Sequence, residues 1–158
     1  MKYAQQATRT PLESNSSASI PDTVNALVLN KKRESLIFEL PRQTGSGVYW
    51  QMLSLEFNPE DDPFTAVQTA LLHKTGYQTS HWSYLGTHII SQEQPARVGY
   101  YFCAQQAHQI ASPHPNGSIS VVAKWVSLTD LRYALLDGRI LLATHALTAS
   151  LALLNLRK

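Results

Sequence analysis

A chain of 158 residues with 44% apolar and 15% charged side chains has the size and composition of one folded domain with its own core, which excludes a disordered or fibrous polypeptide. Thirteen Lys and Arg against eleven Asp and Glu leave a net charge of +2. That excess is too small for an electrostatic nucleic-acid binder, and no basic run exceeds Lys31-Lys32-Arg33, so no nucleic-acid partner is expected.

Residues 1–20 are polar and Ser-rich around Ser14-Asn15-Ser16-Ser17, without helical or strand periodicity, and are expected to form a flexible leader to a single domain over 21–158. Met1 to Ala18 has no apolar stretch of signal-peptide length. Thr23 to Leu29 and Ser35 to Leu40 are β-favouring runs joined by Lys31-Lys32-Arg33-Glu34, and together they predict a hairpin. A loop from Pro41 to Gly47 leads to a further strand, Tyr49 to Leu55. From Pro63 the spacing of Phe64, Val67 and Leu71 turns helical, with Asp62 as the cap and Gly76 as the stop.

Ser83 to Ile90 and Val98 to Gln105 read as strands, the second covered on both faces because Tyr100, Tyr101 and Phe102 are adjacent. Ala107 to Ser118 is expected to be a loop, since it holds Pro113, Pro115 and Gly117, and Ile119 to Val126 a strand. Ser127-Leu128-Thr129-Asp130 opens a short helix that stops at Asp137-Gly138. The apolar run Ile140 to Leu156 is interrupted by Thr144, His145, Thr148, Ser150 and Asn155, so it reads as a buried terminal helix rather than a membrane span. No membrane partner is expected. A cytoplasmic location follows by default, and a single Cys103, which excludes an intramolecular disulfide, suits a reducing compartment. Strands interleaved with one central and two terminal helices predict an α/β sandwich, a mixed sheet covered by helices.

The segment Trp50 to Tyr77 resembles the signature region of the Nudix hydrolases, which cleave nucleoside diphosphates linked to another moiety. Their box runs Gly, five residues, Glu, seven residues, then Arg-Glu-apolar-x-Glu-Glu-x-Gly-apolar. Anchored on Thr75-Gly76-Tyr77, it aligns without a gap: Leu55 stands at the opening Gly, Asp61 at the first Glu, Thr69-Ala70 at Arg-Glu and His73-Lys74 at the Glu pair. Trp50, Pro59, Pro63, Ala66 and Leu71-Leu72 match the scaffold positions. Farther on, Trp125 to Asp130 and Asp137-Gly138-Arg139-Ile140 are similar to the endings of ADP-ribose pyrophosphatase-like members. The resemblance covers about residues 22–156 and implies a Nudix-like α/β/α sandwich.

What the resemblance implies for chemistry is a loss. In an active member, glutamates on one helix face hold divalent metals that bridge the pyrophosphate and help generate the nucleophile. Here only Asp61 keeps a carboxylate, while Ala70 offers no ligand, His73 an imidazole and Lys74 a positive charge. No catalytic residue, metal ligand or cofactor is therefore assigned. The expected function is a non-catalytic nucleotide-ligand-binding or regulatory module, with a nucleotide-derived small molecule or a protein as partner. Two alternatives stand: a divergent hydrolase of ADP-ribose-like compounds, with magnesium at a relocated site drawn from Glu56, Glu60, Asp61, Asp62 and His73, and a dimeric scaffold. A homodimer is expected, as in the ADP-ribose branch. Tyr49, Trp50 and Tyr101 come from strands that border the substrate cleft in the related enzymes, as does Tyr84, and with Asp61 and His73 the first three form the expected binding set.

Other chemistry is not supported. The six histidines show no paired metal-ligand spacing; His108 and His114 read as surface residues of one loop, and His145 as an interior or interface residue of the last helix. Cys103 has no cationic neighbour in the sequence and reads as a buried, inert thiol. No Gly-x-Ser-x-Gly elbow is present, and Gly45-Ser46-Gly47 lacks the Lys-Ser/Thr of a phosphate loop.

Overall fold

Strand β1 (Asp22–Asn30) is buried from Thr23 to Leu29, and the sheet extends from it in both directions. The computed structural model describes residues 21–114 and 121–157; the expected leader and the first residues of the expected strand at Ile119 lie outside them. Along the chain follow β2 (Ser35–Pro41), β3 (Val48–Gln51), β4 (Leu53–Phe57), α1 (Pro63–Thr75), β5 (Tyr77–Gln78), β6 (His81–Ser91), β7 (Arg97–Gln109), β8 (Val122–Val126), α2 (Leu128–Asp137) and α3 (Ala143–Leu156). The strands form one mixed sheet of eight. β1 runs parallel to β7 and antiparallel to β2 and β4, while β2 also pairs with β3 and β8, and β7 with β5 and β6. This is the α/β arrangement expected, with helices over both faces.

Alternation along β1 and β7 builds two core layers, because successive strand residues point to opposite faces. Val24, Ala26 and Val28 join Phe102 and Ala104 under Val67, Ala70 and Leu71 of α1. Leu27, Leu29 and Cys103 pack on the other face against Leu131 and Ala134 of α2 and Ala149, Ala152 and Leu153 of α3. β7 is thus covered on both sides, as its adjacent aromatics imply. Cys103 is fully buried, and desolvation pushes its thiol up to about 11.

Two expectations need correction. The single strand Tyr49 to Leu55 is two strands, broken at Met52, because β3 pairs with β2 whereas β4 pairs with β1. The Met52 amide leaves the ladder at this break, and a buried N–H needs a partner. His145 of α3 supplies it: the Met52 N–H donates to Nδ1 at 2.8 Å. The expected loop from Ala107 begins later, since β7 continues to Gln109 by pairing Gln109 with Tyr77 and His108 with Gln78 of β5. No helix among the described residues is long and apolar enough to cross a membrane.

His145 is only 6% exposed, and burial lowers its pKa from 6.5 to about 4. Its Nδ1 accepts a hydrogen bond, so the folded ring is neutral. The unfolded chain therefore takes up a proton below its own pKa that the folded chain refuses until the folded pKa is reached, and stability falls with pH across that window. Urea denaturation should show a stability about 2 kcal/mol lower at pH 5 than at pH 7, a difference that His145→Asn removes while keeping an acceptor near the Met52 amide. An unchanged slope in the variant would assign the pH dependence elsewhere.

Candidate active-site cleft

Helix α1 is fixed at both ends by local chemistry. The Asp62 carboxylate accepts from the Thr65 amide at 2.9 Å and from its hydroxyl at 2.8 Å, two bonds that hold its pKa below the usual range. Pro63 occupies the first turn. At the far end Gly76 takes the left-handed conformation at φ 79°, and its amide donates to the Leu72 carbonyl. A β-carbon there would also collide with the Ala111 carbonyl, because the segment after β7 docks on the helix end. The Ile110 and Ala111 amides donate to Gly76 O at 2.8 and 3.2 Å, and the His114 amide to His73 O at 3.0 Å. The His73 and His114 rings stack with centroids 4.2 Å apart.

Between β4 and α1 lies a cleft of about 710 Å³. Leu55 and Phe57 form one wall and Thr65, Ala66, Thr69, Ala70, His73 and Lys74 the other, with Asp61 and Asp62 in the turn that joins them. The helical residues follow the i, i+4, i+8 spacing of one face. Every position at which the resemblance looks for the opening glycine, the arginine or an acid, from Leu55 to Lys74, therefore opens into one cavity.

Of the five expected binding residues, the structure brings together two, Asp61 and His73. Trp50 lies under α2 and α3, 5% exposed, with Arg139 stacked over its ring at 4.5 Å and its indole N–H donating to Glu39 Oε2 at 3.1 Å. Tyr49 is half-buried on β3 opposite Leu40. Tyr101 is fully buried, its hydroxyl without a hydrogen-bond partner among the described residues and its ring edge-on to His88. None of these three lines the cleft, because the break at Met52 and the strand alternation direct them elsewhere. Tyr84 is exposed on β6 against Phe102.

The donor set of the cleft does not fit a divalent cation. Asp62 is engaged as the helix cap, Glu56 lies 4.0 Å from Arg97, and Ala70 has no donor. Among the described residues no three His, Cys, Asp or Glu side chains are grouped so as to hold a metal ion. Lys74 is instead the cleft's cation. Its ammonium donates to Ser54 O at a long 3.5 Å, and desolvation lowers its pKa. It also lines a smaller cavity of about 220 Å³ with Phe38, Ser54 and Ala123, so it stands between two recesses. The sequence marks Lys74 as a departure from the box, but gives no sign that it lines two recesses at once.

No protein-family model matches the chain, and no curated protein matches it. Solved structures do. An ADP compounds hydrolase superposes with a TM-score of 0.67 at 11% identity, covering 85% of this chain and 73% of that one. A NUDIX hydrolase from Nitrosomonas europaea superposes with a TM-score of 0.63 at 14% identity, covering 85% and 89%. At such identity the likeness establishes the fold: this chain has the Nudix-like fold that the resemblance of its sequence implies.

The Tyr101 hydroxyl supplies a test of the placement of the expected binding set. A buried hydroxyl without a partner costs about 1–3 kcal/mol, so Tyr101→Phe should leave the thermal midpoint unchanged or raise it. A fall corresponding to more than about 1 kcal/mol would mean that the hydroxyl has a partner in solution.

Proposed function

We propose that the protein is a Nudix-fold binding module whose cleft takes an ADP-type small molecule without a divalent metal and without hydrolysing it. The observation that carries this reading is Lys74. Where the signature places an acid that holds metal, this chain has an exposed ammonium that lines the cleft, makes one long hydrogen bond and has its pKa lowered by desolvation. A cation with so little hydrogen bonding to the protein is free to take an anion, and a phosphate offers several acceptor oxygens. The charge that a metal would bring to a pyrophosphate is then supplied by a side chain. Metal-bound water is not, and an attacking hydroxide has no source at this site.

The remaining lining suits the same ligand. Leu55, Phe57, Ala66 and Ala70 give apolar surface for a base or sugar, and His73, stacked on His114, presents an imidazole at the mouth. The ADP moiety itself rests on the fold neighbour that acts on ADP compounds. A regulatory role follows where binding is not followed by turnover, because the occupied and empty states are then the only outputs.

Calorimetric titration of the full chain with ADP-ribose in EDTA should give saturable heat, and the same titration in magnesium should give no AMP. Lys74→Met, which keeps the aliphatic stem, should weaken binding at least tenfold, or about 1.4 kcal/mol. Magnesium-dependent AMP release that Asp61→Asn abolishes would replace this reading with the divergent hydrolase. Absence of heat in both buffers would remove ADP-ribose as the ligand.

A further inference from the structure

The described residues contain two non-glycine positions with left-handed backbone, Arg33 at φ 62° and Gln106 at φ 58°, and both line the same cavity. That cavity, of about 370 Å³, lies at the turn between β1 and β2 and shares no residue with the cleft beside α1. Each strained position has a local origin. Arg33 closes the hairpin turn, in which its amide donates to Asn30 O and the Asn30 side chain accepts from the Lys32 and Glu34 amides. Gln106 sits in a bulge, where the pairing of β1 with β7 jumps from Val28–Ala104 to Asn30–Ala107. Turns and bulges of this kind favour glycine, which adopts the conformation without steric cost. This chain carries a long polar side chain at both, and the turn and the bulge bring the two to the lining of one recess.

The lining has one sign of charge. Lys31 and Arg33 contribute cations, Gln105 and Gln106 contribute carboxamides, and no acid takes part. The nearby Glu34 carboxylate is held by Asn30 Nδ2 at 2.9 Å. A guanidinium, an ammonium and amide donors around one recess form the donor set that recognises a phosphate, whose oxygens accept in several directions.

We propose that this cavity binds a phosphate group, free or as the monoester of a small molecule, through Arg33 and Lys31 with Gln105 and Gln106 as supporting donors. The site is independent of the cleft and of what the cleft binds. Amide-resolved NMR titration of the full chain with inorganic phosphate, at ionic strength held constant with sodium chloride, should give saturable shifts confined to residues 29–34 and 104–107. Glycerol phosphate in a second arm separates the sources: tighter binding than phosphate assigns the monoester, weaker binding the free anion. Arg33→Gly should raise the melting temperature, by relieving the left-handed arginine, and weaken phosphate at least tenfold. Lys31→Met should weaken it without altering the turn. Shifts that grow linearly with phosphate, that gather at residues 55–74, or that persist unchanged in both variants would overturn the proposal.

Discussion

The parallel pairing of β1 with β7 is the constraint on which the rest of the molecule depends. Both strands are buried on both faces, so each apolar residue from Val24 to Leu29 is committed to one of two core layers by its parity. A slip of one residue would exchange the surfaces under α1 and under α3. β2, β4, β5 and β6 attach to this pair, β3 and β8 attach in turn to β2, and the helices close over it. Buried apolar area of this kind supplies the main favourable term in folding.

The position of the cleft follows from that arrangement. β4 pairs with the first half of β1 and thereby sets Leu55 and Phe57 opposite the face of α1 that carries Thr69, Ala70, His73 and Lys74. The far end of the helix is held by Gly76, which accepts two amides from the segment after β7. A scaffold that keeps these contacts holds a cleft open whatever side chains line it. Metal chemistry needs several converging oxygens, whereas anion binding needs one well-placed cation, so the two make different demands on the same scaffold.

The start and stop of α1, the doubly covered β7 and the capped α2 were legible in the sequence because each depends on residues close together: Asp62-Pro63 and Gly76, the aromatic run at Tyr100, and Ser127 with Asp130. The break at Met52 was not legible. Gln51-Met52 contains no glycine or proline, and what interrupts the strand is an exchange of partners completed by His145, 93 residues away. The same long-range cause hid the location of Trp50 and Tyr101. Aromatic composition says that a strand is packed, but only the register says against which layer. Asp61 and His73 were legible as members of one site because a turn and about three helical turns join them, whereas the His73–His114 stack depends on the docking of a distant segment.

The burial of the only thiol has a practical consequence. Cys103 lies in the central strand pair with its sulfur under the second layer, and its raised pKa leaves almost no thiolate at neutral pH. A thiol reagent can reach it only when α3 lifts from the sheet or the sheet itself opens. Native-state labelling of the unmodified chain therefore reports the free energy of that opening, with no engineered probe and no second cysteine to confuse the signal. The molecule carries its own clock for how often its core is exposed.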